Sequence, residues 1–412
     1  MTASTQLTTN TPPFTLGLEN PFHVDASLLE TAATLGPIIR EYAGVAELNG
    51  RLAKPVIDAM RSAGVFRLFT LRALGGLETD PVTFCRVVET IAGFDSAAAW
   101  SLQAGNTGSW WASHFSEEGV DEIFADGPDV LMAASFSPPH RAVEVPGGYQ
   151  LTGRGPLAST IHDCQWVMMT GIVFDGESPR ITPAGPEIVA LTMRTSDVEI
   201  IDTWRSLGMR GTDSNDVAAN DVFVPASRSF HVVPEFERAR QFRGPLYRLP
   251  ALVSVSAVIA PVALAIARGA ITEVRELAER RTPLGAMKTM RHRTAVQSAV
   301  AEAEALLRSA RLFFYDTIAT AWRRAVEGEP FTLEHKADLM LAGAHAVRTA
   351  SGIADDMHRM GGSSGVYVRS RLERHFRDAQ TVRHHGFLCD SRLETVGQVY
   401  LGVEPDFPMV AF

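Results

Sequence analysis

Gly208-Met209-Arg210-Gly211-Thr212-Asp213-Ser214 is the stretch on which the reading of this chain turns; Trp204-Arg205-Ser206-Leu207 precedes it, and a β-rich run ending Asp221-Val222-Phe223-Val224-Pro225 follows. The two glycines let the backbone approach something flat or anionic, and Thr212 and Ser214 offer short hydroxyl donors beside it. Taken alone, the same residues serve equally well as a Gly-rich loop between two strands. Its surroundings have to decide.

Upstream, from Gly127-Pro128, short β-rich runs such as Gln165 to Phe174 and Ile188 to Met193 are separated by Gly, Pro, Asp and Asn clusters, and Val217 to Val224 continues the series to about Phe230. Before that texture the apolar residues recur at three and four, as in Leu28, Leu29, Ala32, Leu35, Ile38 and Ile39. They predict helices broken near Gly36-Pro37 and Gly50, again over Val82 to Ala92, and over Ala97 to Phe115 behind an N-cap at Asp95 or Ser96. Phe66 to Leu71 reads as a short extended piece. After Pro234 long helices are predicted at Ala251 to Arg281, Lys288 to Glu327, Leu333 to Met360 and Ala379 to Tyr400. The expected fold class is α+β: an N-terminal arm (1–24), a helical domain (25–126), a central β domain (127–233) and a C-terminal helical bundle with tail (234–412).

Composition narrows the function. With 412 residues, 46% hydrophobic and a net charge of −9, the chain lacks the clustered cations a polynucleotide surface needs. Its three cysteines, Cys85, Cys164 and Cys389, form neither a CxxC pair nor a zinc pattern, so no metal is expected and a reducing, cytoplasmic setting is. The first twenty-two residues carry no Lys or Arg and read as a flexible arm rather than a signal peptide. Leu249 to Ala267 is nineteen residues without a charge, but its prolines and serines favour a buried helix over a membrane span.

Four further segments can carry chemistry. Gly147 to Ser159 makes a hairpin turn and a strand ending in a free hydroxyl at Ser159. Arg281-Thr282-Pro283-Leu284-Gly285 stops a long helix and leaves a cation at its end. Met360-Gly361-Gly362-Ser363-Ser364-Gly365 is a helix stop whose amides suit a phosphate, or a plain C-cap. Arg374 to Phe387 carries Arg377-Asp378-Ala379 and the pair His384-His385.

Taken in order, these five motifs resemble the acyl-CoA dehydrogenase superfamily from about residue 25 to 405. The resemblance implies a helical N-terminal domain, a β-barrel-like middle, a C-terminal four-helix bundle and a homotetramer built on that bundle. It also implies a flavin held with the help of Ser135, Arg210, Thr212, Ser214, Arg281, Gly361, Gly362 and Arg377. The dehydrogenases of this superfamily use a Glu just after Arg-Asp-Ala, where this chain reads His384-His385-Gly386-Phe387; a few relatives place the base early in the first bundle helix, but Gly244 to Ala267 holds no Asp or Glu. Ala134-Ser135-Phe136-Ser137-Pro138-Pro139 likewise stands where the usual Thr-Glu-Pro-x-x-Gly-Ser-Asp would be.

Those departures resemble the flavin-dependent monooxygenase branch, which includes dibenzothiophene monooxygenase, the oxygenase component of 4-hydroxyphenylacetate hydroxylase and the amino-sugar nitrososynthases. That branch has Gly-Arg-Trp-x-Phe-x-Ser-Gly where this chain has Gly153 to Thr160, with Gly155 in place of the Trp and Thr160 in place of the last Gly. The resemblance implies a separate NAD(P)H-dependent reductase that delivers reduced FMN or FAD, which O2 converts to a C4a-hydroperoxide that oxygenates a small substrate. In that scheme Ser159 sits near the flavin N5, and His384 or His385, with His385 preferred, handles a proton. Trp100, Trp110, Trp111 and Phe115, at helical spacing, are candidates to line an aromatic substrate's pocket. The rival readings are an acyl-CoA dehydrogenase with a displaced base, which would hold oxidised flavin and be bleached by an acyl-CoA, and a flavin-free helper on the same scaffold.

Overall fold

The computed structural model describes residues 24–183, 185–233 and 242–412, so the N-terminal arm expected at 1–24 lies, but for its last residue, outside the described residues. Helices Ala26–Thr34 and Gly36–Asn49 meet at the Gly-Pro step, and the second stops on Gly50 at φ 74°, the left-handed conformation that a glycine adopts without strain. Lys54–Ser62, Pro81–Ala92, Ser96–Trp111 and Glu117–Ile123 follow. Asp95 caps the fifth helix by accepting from the Ala98 amide at 3.0 Å. The extended piece expected at Phe66 to Leu71 is instead a 3-10 turn, Val65–Arg67, and a bend. Its apolar residues fill the core without a strand partner, Phe69 stacking on Phe84 at 3.9 Å.

The middle is one mixed sheet. Its principal strands run in the order Ser229–His231, Ile188–Arg194, Trp166–Asp175, Met132–Val145, Gly148–Ala158, Asn215–Pro225, Glu199–Ile201. All these pairs are antiparallel except Met132–Val145 with Trp166–Asp175. The long strand Met132–Val145, which is not among the β-rich runs picked out in the sequence, holds two prolines, Pro138 and Pro139. The ladder accommodates them at an irregularity, its register shifting between Ser135 and His140.

The bundle comprises Ala251–Ala257, Ala260–Arg280, Thr294–Glu327, Leu333–Gly361, Arg371–Arg383 and Ser391–Tyr400. The helix expected from Ala251 breaks just ahead of Pro261, as proline's missing N–H requires. The helix expected at Ala379 to Tyr400 is two helices, split by the loop that carries His384 and His385. Ser254–Arg280 is long and apolar enough to cross a membrane, yet 83% of its apolar window is buried inside the protein, as in a core helix. One buried ion cluster ties the N-terminal helices to the bundle: Arg311 grips Glu89 with two bonds of 2.7 and 2.8 Å, and the Tyr315 hydroxyl adds a third at 2.7 Å.

Candidate active site

Two turns of the sheet meet edge to edge. The strand Gly148–Ala158 ends through Leu157 into Ser159 and Thr160, and the Gly208 loop brings Met209 to Ser214 alongside, with the Thr160 amide donating to the Thr212 carbonyl at 2.9 Å. Leu157, Thr160, Met209 and Asp213 all have positive φ, between 52° and 63°, although none is glycine. Strain concentrated in this way is found where the surroundings over-determine a functional geometry.

A chain of hydroxyls runs through the junction. The Trp100 indole N–H donates to Ser159 Oγ at 3.0 Å. Ser159 Oγ lies 2.8 Å from Ser214 Oγ, and that atom lies 2.8 Å from Thr212 Oγ1, which donates to the Met209 carbonyl at 2.9 Å. Ser214 and Thr212 are sealed at 4% and 1% exposure, so Ser159, only partly buried, is the one hydroxyl of the three that a ligand reaches.

The loop is anchored on helix Arg371–Arg383. Gly208 donates its amide to Thr381 Oγ1 at 2.9 Å, and Met209 donates to Asp378 Oδ1 at 2.6 Å; Ser96 Oγ bonds the other Asp378 oxygen. A Cβ on Gly208 would lie 2.3 Å from the Arg377 carbonyl, so the close approach requires glycine. Arg377, expected at the flavin, is engaged within the chain: it pairs with Glu373 at 2.5 Å and Glu47 at 2.8 Å and donates to the Leu207 carbonyl at 2.9 Å. That expectation gives way to a docking role. Arg210 is similarly turned back, to the Ser206 carbonyl at 3.1 Å and Glu47 at 3.6 Å, and Ser135 donates to the Pro156 carbonyl at 2.7 Å. Gly155 faces Ser135 so closely that a Cβ would stand 2.4 Å from its hydroxyl, which leaves no room for a Trp there.

Trp100 also faces the bundle loop. Its ring meets His385 at 5.5 Å, and the row continues through Phe387 at 5.8 Å, Phe136 at 6.3 Å and Trp111 at 5.6 Å. Burial pushes the His385 imidazole down to about 4, so it is neutral at pH 7. The Phe387 amide donates to its Nδ1 at 3.4 Å, which leaves the proton of the neutral ring on Nε2. His384 is exposed and bonds the Gln380 carbonyl at 2.7 Å; the structure does not bring it to the row.

Helix phase sorts the aromatic candidates. Trp111 follows Trp100 by eleven residues, close to three whole turns, so the two share a face, whereas Trp110 points well away from it. Trp110 is core, edge-on to Phe69 at 5.4 Å, and Phe115 packs on Phe230 at 5.5 Å. Phe136 and Phe387 join the row without having been candidates; only their aromatic character beside the quoted motifs could have flagged them.

A second cluster joins two motifs far apart in sequence. Arg281 donates to the Gly361 carbonyl at 2.5 Å, to Ser364 Oγ at 2.7 Å and to Ser363 Oγ at 2.8 Å, and Gly362 adopts φ 51°. Because both serine oxygens accept from the guanidinium, both O–H groups are left to donate outward, which is the donor set of a phosphate cradle.

Comparison with known proteins agrees with this geometry. A family model described as acyl-CoA dehydrogenase, C-terminal domain, matches residues 257–389. An indole-3-acetate monooxygenase of Pseudomonas putida is 31% identical over 371 residues, covering 89% of this chain and 92% of that protein. The oxygenase component of an FADH(2)-dependent resorcinol hydroxylase from a Rhizobium species is 26% identical over 399 residues, covering 92% and 95%. Among solved structures, XiaF from a Streptomyces species, in complex with FADH2 and glycerol, matches with a TM-score of 0.85 at 25% identity, covering 93% of this chain and 97% of that one.

Proposed function

This chain belongs to the flavin-dependent monooxygenases of the acyl-CoA dehydrogenase superfamily, and from that premise we propose that it is the oxygenase component that uses reduced flavin and O2 to oxygenate a small aromatic or heteroaromatic substrate. The observation that carries this reading is a neutral His385, set in a row of aromatic rings and joined through Trp100 to Ser159, where a thioester dehydrogenase would need a carboxylate base. The displaced-base alternative is not favoured, since Gly244 to Ala267 and His384 to Phe387 offer no acid.

Reduced flavin, when bound, supplies the electrons that activate dioxygen and reduce one of its atoms to water. The protein's part is binding, orientation and exclusion of water. Ser159 holds the N5 edge of the ring. His385 presents Nε2–H as a donor to the oxygen being transferred, a hydrogen-bonding role rather than that of a base. Trp100, Phe387, Phe136 and Trp111 take up a flat substrate and keep water out.

Further features support finer assignments. Arg281, Ser363 and Ser364 suit a phosphate, and the groove beside them, about 420 Å³, sets two cations, Arg280 and Arg369, and the Tyr367 ring against one carboxylate, Glu273, a balance that favours FAD over FMN. Leu306, Leu312 and Phe313, exposed along Thr294–Glu327, support a homotetramer built on the bundles. Three free cysteines are in keeping with the cytoplasm, where a separate NAD(P)H-dependent reductase would deliver the flavin.

The test mixes protein and photoreduced flavin with aerated buffer in a stopped-flow cell. A transient band between the reduced and oxidised spectra, shortened in Ser159→Ala with more H2O2 released, is expected. Bleaching of bound oxidised flavin by an acyl-CoA, with no such transient, would sink the proposal.

A further inference from the structure

We propose that Gln103 reads the polar group of the substrate: its amide, buried and uncommitted beside Trp100, hydrogen-bonds an N–H or O–H carried by the aromatic ring that the row takes up. The inference rests on the reading that this row is the substrate's pocket.

Gln103 is 3% exposed on helix Ser96–Trp111, and its side chain has no hydrogen-bond partner among the described residues. A carboxamide carries two N–H donors and an oxygen with two lone pairs, and burying it unpaired is unfavourable. The same helix shows how a structural amide is treated. One turn on, Asn106 is fully buried and fully employed: its Nδ2 donates to the Val65 and Leu102 carbonyls at 2.9 Å each, and its Oδ1 accepts from the Phe69 amide at 3.2 Å. Thr107 is employed as well, donating to the Ala104 carbonyl at 2.8 Å. The free capacity of Gln103 is that of a group kept for a ligand.

Helix geometry says where that capacity lies. Residues three apart are neighbours on a helix surface, and long side chains lean back toward the N-terminus, so Gln103 covers the turn that carries Trp100. Trp100 is itself committed, its N–H donating to Ser159 while its ring meets His385 at 5.5 Å. The rings of the row hold a flat molecule without fixing its rotation in the plane. A hydrogen bond from the substrate's N–H or O–H to the Gln103 oxygen supplies that fix, so Gln103 sets both which rings bind and which edge of the ring is turned toward Ser159 and His385. A pocket with a buried acceptor also discriminates against isosteres that lack the matching donor.

The experiment titrates indole and benzothiophene, rings of one shape that differ in N–H against S, into the protein holding reduced flavin under anaerobic conditions. Gln103→Met keeps the length and helix propensity of the side chain and removes the amide. The ratio of the two dissociation constants is expected to move toward benzothiophene by about two- to tenfold in Gln103→Met, the equivalent of one neutral hydrogen bond. The urea midpoint of the ligand-free protein should rise in the same variant, because an unpaired buried amide has been removed; a glutamine with a structural partner gives the opposite sign. Gln103→Leu repeats the comparison if Gln103→Met folds poorly. An unchanged ratio in both variants, or a lowered midpoint with no change of ratio, refutes the role of Gln103 and leaves the aromatic row standing. If neither ring binds the wild type, the row is not an aromatic pocket and both readings fall.

Discussion

Replacing Asp378 tests whether the Arg-Asp-Ala segment acts on the flavin site through the loop it holds. The carboxylate is 1% exposed and accepts from the Met209 amide at 2.6 Å and from Ser96, with Arg374 at 3.6 Å. Asp378→Ala leaves a buried amide and a buried hydroxyl unpaired. A hydrogen bond to a charged group contributes about 1.5–3 kcal/mol, so two lost together weaken docking by about 3–5 kcal/mol after partial relaxation. Asp378→Asn keeps the shape and loses the charge, and about half that loss is expected. Hydrogen exchange reads the effect locally: protection of the Met209 amide should fall by about two to three orders of magnitude in Asp378→Ala, because each 1.4 kcal/mol of opening free energy is a factor of ten. Flavin affinity should fall with it, more in the Ala than in the Asn variant. Unchanged protection across the Gly208 loop, or a loss spread evenly over the whole protein, would refute the docking argument.

Arg311→Met should cost about 3–5 kcal/mol in chemical unfolding, since it strands the buried Glu89 charge, whereas Arg311→Met combined with Glu89→Leu should recover most of that; equal losses in the two would contradict it. For Gly208→Ala, whose Cβ meets backbone atoms that cannot move aside, weakened flavin binding with the secondary structure intact is expected, and normal binding would argue against the close approach. Burial holds His375 and His385 neutral down to about 4, with the Arg371 charge adding to the effect at His375. As pH falls below about 6.5 the unfolded chain takes up protons that these folded-state rings refuse. Their stabilising contribution is therefore complete above that pH and falls by up to about 1.4 kcal/mol per pH unit for each ring until about pH 4. The decline measured by urea midpoints between pH 7 and pH 5 should be shallower in His375→Gln; identical slopes would remove that ring from the balance.

Much of the fold could be read because helix and strand periods differ and because Gly50, Asp95 and the Gly-Pro step mark boundaries by local chemistry. The misreadings have local causes as well. Pro138 and Pro139 interrupt the β pattern of Met132–Val145, and the ladder carries them at the register shift between Ser135 and His140. Phe66 to Leu71 has strand-like residues but no partner to pair with. At the site, Ser159, Thr212 and Ser214 come together as their motifs suggested, and Trp100 separates from Trp110 by helix phase alone, which the sequence already contained. Arg377 has one partner legible in the sequence, Glu373 four residues back on its own helix, but Glu47 and Leu207 are distant along the chain, and a buried guanidinium reads the same whether it will face a phosphate or a carboxylate. Phe136 and Phe387 were invisible for the same reason, as a pocket row belongs to no single element.

The carboxylates that hold the two loops support the functional reading more firmly than the missing Glu does. Asp213 is bonded to His162 at 2.8 Å, Asp95 to Arg374 at 2.5 Å and Glu47 to Arg377 at 2.8 Å, while Asp378 is occupied by Met209 and Ser96. Each is already engaged by a side-chain or backbone nitrogen within the chain, so none of the four stands as a free carboxylate beside Ser159. Around Ser159 stand a hydroxyl, a neutral imidazole and aromatic rings. None of them is the carboxylate that a thioester dehydrogenase uses to strip a proton from carbon, whereas hydrogen-bond donors among apolar rings suit the proposed oxygen transfer from a reduced flavin.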